Sequence, residues 1–307
     1  MKYNVTHITQ YLYSEAVSLC RNEACLLPRE TPTQRCLSSR LLVEPAPADL
    51  RERFDGFGNR LSHFAIQQPH NELKVTARSE LIVTADPEPL ASANQVAWES
   101  VRKQLTGARA SNNLGALSFL YDSPLIGKSQ QFSDYAGASF PPLRSLAEAV
   151  ADLMQRIYHD FKYDPGFTTV ATPLSEVMET RRGVCQDFAH LGVACLRSMG
   201  LAARYVSGYI ETLPPAGQER LVGADASHAW FSVYAGEAGW IDFDPTNNQV
   251  PSEQHITVAW GRDFSDVSPL RGVAFGGGKH KVNVSVDVAR EPDGLLQNQS
   301  QSQKQTN

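Results

Sequence analysis

The spacing of the apolar residues changes along the chain, from the alternation of β-strands to the period of helices. Residues 73–84 alternate between apolar and polar side chains, and shorter strand-like runs lie at 5–9, 40–44 and 61–66. Between residues 145 and 161, apolar side chains recur every three or four positions, which is typical of a helix with one buried face. Strands that precede helices in this way predict an α+β fold with a β-rich N-terminal domain.

The length of 307 residues suggests roughly two domains, because single hydrophobic cores usually stop growing below this size. A proline-rich run at 86–89 ends the β-rich region. Ser, Gly and Pro residues at 107–142 indicate an irregular connection, after a short helix near 94–105. The predicted division is an N-terminal β accessory domain at 1–90, a connecting region at 91–144, a core at 145–290 and a disordered, Gln- and Ser-rich tail at 291–307.

Composition excludes several classes of partner. The net charge is −5 and no basic run occurs, which argues against nucleic acid as a partner. No apolar stretch approaches the length of a membrane span, so no membrane partner is predicted. The first residues lack a charged start followed by an apolar run, and the five cysteines are odd in number. Reduced thiols and the cytoplasm are therefore expected.

Three helices are predicted in the second half of the chain. Ser145 and Glu148 form a capping box at the start of the first helix, and Thr172 and Pro173 read as the N-cap and first residue of the second. The third helix is predicted for 185–199, with a glycine at its end. Strands are predicted at 202–210, 229–235, 240–243 and 282–288.

Cys185 stands where a Gly-Val turn enters the third predicted helix. A thiol at a helix N-terminus lies near the positive end of the helix dipole and near backbone N–H groups without helical partners, and both favour the reactive thiolate. The same N–H groups can stabilise an oxyanion. By position alone, a buried structural cysteine is the commoner alternative.

His228 and Asp244 lie on two strands that a hairpin turn at 236–239 connects. If the turn is centred on residue 236, position 244 lies directly opposite position 228; a centre at 237 makes the two positions diagonal neighbours. Side chains at either pair of positions share a face and can meet. Asp242 lies on the same face but two residues further from His228 in either register, so Asp244 is the better partner. Taken singly, each residue is more often structural.

The segments around these residues together resemble the transglutaminase-like superfamily, and most of all its bacterial branch of cysteine peptidases. The resemblance lies in GVCQDFAH at 183–190, SHAW at 227–230 and GWIDFDPTN at 239–247, and extends to DGFGN at 55–59 and GRDFSDV at 261–267. It implies a papain-like core in which a helix carrying the cysteine packs on an antiparallel sheet. It also implies a triad of Cys185, His228 and Asp244, and Tyr163 as an oxyanion partner.

The implied chemistry is acyl transfer on peptide or isopeptide amides through a thioester, without a cofactor. Water completes the reaction in a peptidase and a primary amine completes it in a transglutaminase; the resemblance favours hydrolysis of a peptide or protein substrate. The alternatives are amine transfer and an idle interaction module on the same fold. The oligomeric state is not predicted.

No metal site is predicted. Zinc bound by Cys185, His190 and Cys195 is excluded because five helical residues turn through about 500°, which points the side chains in different directions. The glycine-rich run at 272–280 is no P-loop, since residue 273 is Val where the motif needs Gly and His280 replaces Ser or Thr. A flexible loop near the cleft is expected there.

Overall fold

A computed structural model of the protein describes residues 1–106, 114–212 and 227–291. The fold is α+β, as predicted, and an N-terminal β region precedes the helices. In the described ranges the largest sheet has seven strands. Five of them lie in the order β2-β5-β1-β4-β3, and the other two, β12 and β13, both pair with β1. These strands are β1 Lys2–Ala24, β2 Gln34–Glu44, β3 Asp49–Phe54, β4 Arg60–Ile66, β5 His70–Val83, β12 Leu270–Gly276 and β13 His280–Arg290.

Strand β1 is the spine of this sheet. One half of it pairs with β5 and β13, and the half that follows pairs with β4 and β12. The register shifts between Leu12 and Val17, where β1 passes from one half to the other. All four neighbours of β1 are antiparallel to it. Because two of them are N-terminal strands and two are the last described strands, both groups form one hydrogen-bonded sheet.

The pairing of β12 and β13 differs from the predicted division, which assigned residues 145–290 to the core. Both strands return to the N-terminal sheet. The flexible loop predicted from residue 272 is wrong for residues 272–276, which belong to β12. Most β12 side chains are exposed, so the strand lacks the alternation of apolar and polar residues by which strands are predicted from a sequence. Gly272 is required, because a Cβ there would collide with the backbone of Arg21 and with Asn22.

Four helices occupy the described parts of the predicted connecting region: α1 Glu88–Ala93, α2 Trp98–Thr106, α3 Leu114–Leu117 and α4 Gln130–Gly137. Helix α2 corresponds to the single helix predicted near 94–105. Helix α4 was not predicted; Ser129 caps it by accepting a hydrogen bond from the backbone N–H of Phe132. None of the helices within the described ranges has both the length and the apolar character needed to cross a membrane.

Two of the predicted helix starts can be compared with the structure. Helix α5, Leu146–Asp160, begins as predicted, and the Ser145 hydroxyl accepts a hydrogen bond from the N–H of Glu148. Helix α6, Leu174–Thr180, begins one residue later than predicted, with Pro173 at the N-cap. The assignment of Thr172 as N-cap is wrong, because its hydroxyl instead accepts from the N–H of Thr169 in the preceding turn.

A four-stranded antiparallel sheet lies in the second half of the chain, in the order β10-β9-β8-β11. Helix α7 packs on one face of it, and Phe231 fills the place that a side chain at Gly192 of α7 would need. A short parallel pair, β6 and β7, precedes the helix. The elements are β6 Lys162–Tyr163, β7 Arg182–Gly183, α7 Cys185–Ser198, β8 Ala203–Ile210, β9 Ser227–Tyr234, β10 Trp240–Phe243 and β11 His255–Gly261.

The two sheets share a core. Tyr3, Val5 and Val286 of the large sheet are buried against Tyr209 and Ile256 of the small sheet. The small sheet is therefore enclosed, with helices on one face and the large sheet towards the other.

Side-chain amides from the N-terminal region complete the outer edge of β11. Gln34 donates to the carbonyl of Thr257 at 2.7 Å and accepts from its N–H at 2.8 Å. Asn59 does the same for Trp260, at 2.8 and 3.0 Å. Each amide replaces the peptide group of an absent neighbouring strand, so the edge of the small sheet is satisfied without a further strand.

This edge contact predicts a stability effect. Gln34→Leu leaves the N–H and C=O of Thr257 buried and unpaired, and we expect a loss of about 2–4 kcal/mol in the free energy of unfolding. Urea denaturation followed by circular dichroism measures it, with Gln67→Leu at an exposed position as the matched control. Equal unfolding midpoints for the two variants would show that the amide contributes nothing to the edge.

Candidate functional site

Cys185 is the first residue of α7, and a buried aspartate shapes the turn that presents it. The Oδ2 atom of Asp187 accepts hydrogen bonds from the Val184 N–H at 2.8 Å and from the Thr168 hydroxyl at 2.6 Å. Burial raises the pKa of Asp187 against these two bonds, which favour the carboxylate. A Cβ on Gly183 would lie 2.8 Å from the same oxygen. Gly183 is therefore needed for the carboxylate to close over the turn.

The Cys185 side chain is half-buried, whereas Cys20, Cys25 and Cys195 are buried. Burial raises the pKa of the Cys25 and Cys195 thiols to about 12, so both are protonated at neutral pH. The backbone N–H groups in the first turn of α7 have no partners within the helix and can donate to an anion. The position of Cys185 is that of an accessible thiol beside hydrogen-bond donors.

His228 lies at the second position of β9 and is 8% exposed. Its Nε2 donates to Oδ2 of Asp244 at 2.7 Å, and Cys185 lies close enough to the ring to raise its pKa. Because Asp244 occupies Nε2, the ring nitrogen that serves Cys185 is Nδ1. Burial lowers the pKa of His228, but the interactions with Asp244 and Cys185 outweigh it and raise the pKa to about 9. A protonated ring beside a thiol favours thiolate.

Asp244 is fully buried and accepts hydrogen bonds on both carboxylate oxygens. Oδ2 accepts from His228, from His255 Nε2 at 3.1 Å and from Asn247 Nδ2 at 2.8 Å. Oδ1 accepts from the backbone N–H groups of Thr246 and Asn247 at 3.0 and 3.2 Å. Burial alone would raise the pKa of Asp244, yet the hydrogen bonds from the two histidines outweigh it and hold the pKa well below its usual range.

The hairpin register decides between the two aspartates considered from the sequence. Asp242 pairs with Ser232, so the turn is centred on residue 237 and continuing the register makes position 244 a diagonal neighbour of His228. The Oδ2 atom of Asp242 accepts from Trp230 Nε1 at 3.0 Å. The structure therefore brings Cys185, His228 and Asp244 together, and it places the Asp242 carboxylate on a tryptophan.

Sequence reasoning missed His255 and Asn247 as partners of Asp244. Asn247 was visible as the end of the GWIDFDPTN segment, three residues after the aspartate, which is the spacing of a side chain that folds back over a turn. His255 gave no such signal, because it starts β11, which pairs with β8, and that pairing is not encoded locally.

Tyr163 lies in β6 directly beside Gly183 of β7, two residues before Cys185. Its side chain is half-exposed. Partial burial, together with the nearby Cys185, raises the pKa of the phenol, so it is a protonated donor at neutral pH. The structure thus places a hydroxyl donor near the thiol, and its role as an oxyanion partner stays a prediction.

Three donor atoms of His228, Asp244 and His255 lie within 4.8 Å of one another, a spacing that a metal ion could bridge. The Nε2–Oδ2 distances of 2.7 and 3.1 Å are those of hydrogen bonds, so a metal would have to displace both Nε2 protons. His190, which the sequence analysis excluded as a zinc ligand together with Cys185 and Cys195, accepts a hydrogen bond on Nε2 from the N–H of Phe264 at 3.1 Å. Burial lowers the pKa of His190 to about 4, which keeps its ring neutral.

Comparison with known proteins identifies two segments of the chain. Residues 3–81 match the model of the bacterial transglutaminase-like N-terminal region, and residues 136–245 match that of the transglutaminase-like superfamily. The second match covers Cys185, His228 and Asp244.

Two relatives of the chain match it over different lengths. An uncharacterized protein of Mycobacterium tuberculosis is 42% identical over 295 residues, which are 94% of this chain and 92% of that protein. A protein-glutamine gamma-glutamyltransferase of Pseudomonas aeruginosa is 35% identical over 133 residues, which are 40% of this chain and 20% of that protein.

Among solved structures, the fold is shared with a chain described as "Putative Cysteine Protease from Cytophaga hutchinsonii". The TM-score is 0.73 at 23% identity, over 95% of this chain and 92% of the other. Together with the two segment matches, this agreement over the whole length shows that the chain belongs to the transglutaminase-like superfamily and carries the N-terminal region of its bacterial members.

Proposed function

We propose that the protein catalyses acyl transfer at peptide or isopeptide amide bonds, with Cys185 as nucleophile, and that water is the acceptor. The observation that carries the proposal is the cluster of Cys185, His228 and Asp244, in which one imidazole is hydrogen-bonded to a buried carboxylate and lies close enough to a helix-N-terminal thiol for the two groups to interact. This is the arrangement that nucleophilic catalysis by a thiol needs: a base in contact with the nucleophile and a third group that orients the base.

The proposed reaction has two halves. The Cys185 thiolate attacks the amide carbon, a C–S bond forms, and the carbonyl oxygen becomes an oxyanion beside the first-turn N–H groups of α7. The C–N bond then breaks, and the amine leaves with the proton held by His228 Nδ1. In the second half, His228 removes a proton from water, the hydroxide attacks the thioester, and Cys185 leaves as thiolate while the acid product departs.

Amine transfer is the second candidate, and one observation favours it. The Pseudomonas aeruginosa protein named as a protein-glutamine gamma-glutamyltransferase shares 35% identity over 133 residues. Transfer differs from hydrolysis only in the group that attacks the thioester. The preference for hydrolysis rests on the resemblance of the core segments to the bacterial cysteine peptidases.

We also propose a reducing compartment, with the cytoplasm as the location, and a peptide or protein as the partner. The five cysteines are all free, which suits a reducing environment. A half-exposed thiol as nucleophile needs such an environment to stay reduced.

Selective alkylation tests the nucleophile. Low concentrations of iodoacetamide at neutral pH should modify Cys185 at least about tenfold faster than any other cysteine, because it is half-buried and lies beside His228, whose pKa is raised to about 9. Peptide mapping by mass spectrometry measures the rates. Cys36 is the internal control, since it is also half-buried but its Sγ bonds to the carbonyl of Ser38. Comparable rates at the two cysteines would remove the basis for the assignment.

Paired aspartate variants test the orienting residue. Asp244→Asn should lower turnover by roughly 10²- to 10³-fold, since the imidazole loses the anion that sets its tautomer and stabilises its protonated form. Asp242→Asn should lower it by less than about threefold, because an amide oxygen still accepts from Trp230 Nε1. Steady-state hydrolysis measures turnover, and circular dichroism checks that both variants fold. Damage from Asp242→Asn with Asp244→Asn nearly silent would reverse the assignment.

A two-substrate assay separates hydrolysis from transfer. A peptide library is incubated with the protein in EDTA, with and without a primary amine, and products are identified by mass spectrometry. We expect cleaved peptides with a free carboxylate in both cases, and no product with Cys185→Ala. Amine adducts in place of acids would support the transferase, and turnover of no library member by a fully alkylatable protein would support an idle module.

A further inference from the structure

A cavity adjoins the site through His255, which lines it and is hydrogen-bonded to Asp244. Its volume is about 620 Å³, within the range of small-molecule pockets. It is enclosed by β10 and β11 of the small sheet and by segments 31–34 and 83–90 of the N-terminal region. Neither Cys185 nor His228 is among its lining residues, so it is separate from the place where the thiol would meet a substrate.

Arg204 lines this cavity, and its Nε is buried without a hydrogen-bond acceptor among the described residues. The residue is 7% exposed. The charges that act on it are those of the Asp242 carboxylate and the Arg29 guanidinium. Burial lowers the pKa of Arg204 to about 9, which still leaves it charged at neutral pH. A buried donor without an acceptor is costly, so the cavity favours an occupant that supplies one.

Two tryptophans hold the guanidinium group face-on. Its central carbon lies 4.4 Å from the centre of the Trp240 ring and 3.6 Å from that of Trp260, and both rings line the cavity. Stacking uses the faces of the guanidinium and leaves its N–H edges for an acceptor in the same plane, which is the geometry that carboxylates match best. Arg29 also lies over the Trp260 ring, 3.1 Å from its centre, so the rings offer their edges to the body of the same occupant.

His255 provides an independent sign of an occupant. Its side chain is 3% exposed and lines the cavity. Nε2 donates to Asp244, and the buried Nδ1 has no partner among the described residues. Because a carboxylate only accepts, Nε2 carries the proton, and in a neutral ring Nδ1 is an acceptor. An N–H or O–H group of an occupant would satisfy it.

We propose that this cavity binds a small organic carboxylate with a planar, apolar body. The carboxylate pairs with the N–H edges of Arg204, and the planar body packs against the edges of the Trp240 and Trp260 rings that line the cavity. A monoanion fits better than a phosphate, because the Asp242 carboxylate in the same cavity repels a second negative charge. The size of the cavity suits a ligand of one or two rings and excludes a folded partner.

Isothermal titration calorimetry with benzoate tests the proposal, and benzamide serves as the uncharged ligand of the same shape. We expect saturable binding of benzoate to the full chain and at least about tenfold weaker binding of benzamide. Arg204→Met should abolish benzoate binding, whereas Asp242→Asn should strengthen it about threefold by removing the repulsion. Arg102→Met is the matched control: Arg102 also stacks on a tryptophan, Trp98, but is exposed and does not line the cavity.

The outcomes are distinct. Equal affinity for benzoate and benzamide, benzoate binding unchanged in Arg204→Met, or no saturable binding of benzoate up to millimolar concentration would each overturn the proposal. If Arg204→Met does not fold, the comparison of benzoate with benzamide in the unaltered protein and the direction of the Asp242→Asn effect decide the matter. The measurement needs no activity, so it is independent of the proposed acyl transfer.

Discussion

The arrangement of the site depends on the hydrogen bonds that the buried carboxylate of Asp244 accepts. A charge without solvent exposure is tolerated only when hydrogen bonds replace its hydration, and here both oxygens accept, from two histidines and from the turn that follows. The donors come from β9, from β11 and from the backbone after β10. Satisfying one carboxylate therefore fixes the relative positions of three elements that would otherwise be joined only by strand pairing.

Strands β9 and β11 do not pair with each other, since β8 lies between them. Gly208 in β8 makes their contact possible: a side chain there would collide with Trp230 and with the carbonyl of Ile256. Because Gly208 has no side chain, the Trp230 and His255 rings meet edge-on with their centres 5.2 Å apart, and His228 and His255 both reach Asp244. A single small residue in the central strand is thus part of the geometry that presents the imidazole to Cys185.

Local sequence patterns predicted the parts of the site that local physics determines. The glycine-valine turn before Cys185 and the hairpin that carries His228 and Asp244 are short-range features, and the structure has both. His255 was not predicted as part of the site, and β13 was predicted as a strand but not its pairing with β1, because such pairing across nearly the whole chain leaves no local trace. The exposed β12 lacks even the alternation that marked the earlier strands.

Asp244 also determines where protons sit on two rings. A carboxylate can only accept, so both histidines present an Nε2 proton to it, and each neutral ring is left with a bare Nδ1. On His228 that nitrogen is the one available to Cys185, and because the pKa of the ring is raised to about 9 it carries a proton at neutral pH. On His255 the equivalent nitrogen is unpaired and belongs to a ring that lines the cavity adjoining the site. One buried anion therefore sets the hydrogen-bonding polarity of the site and of the cavity together.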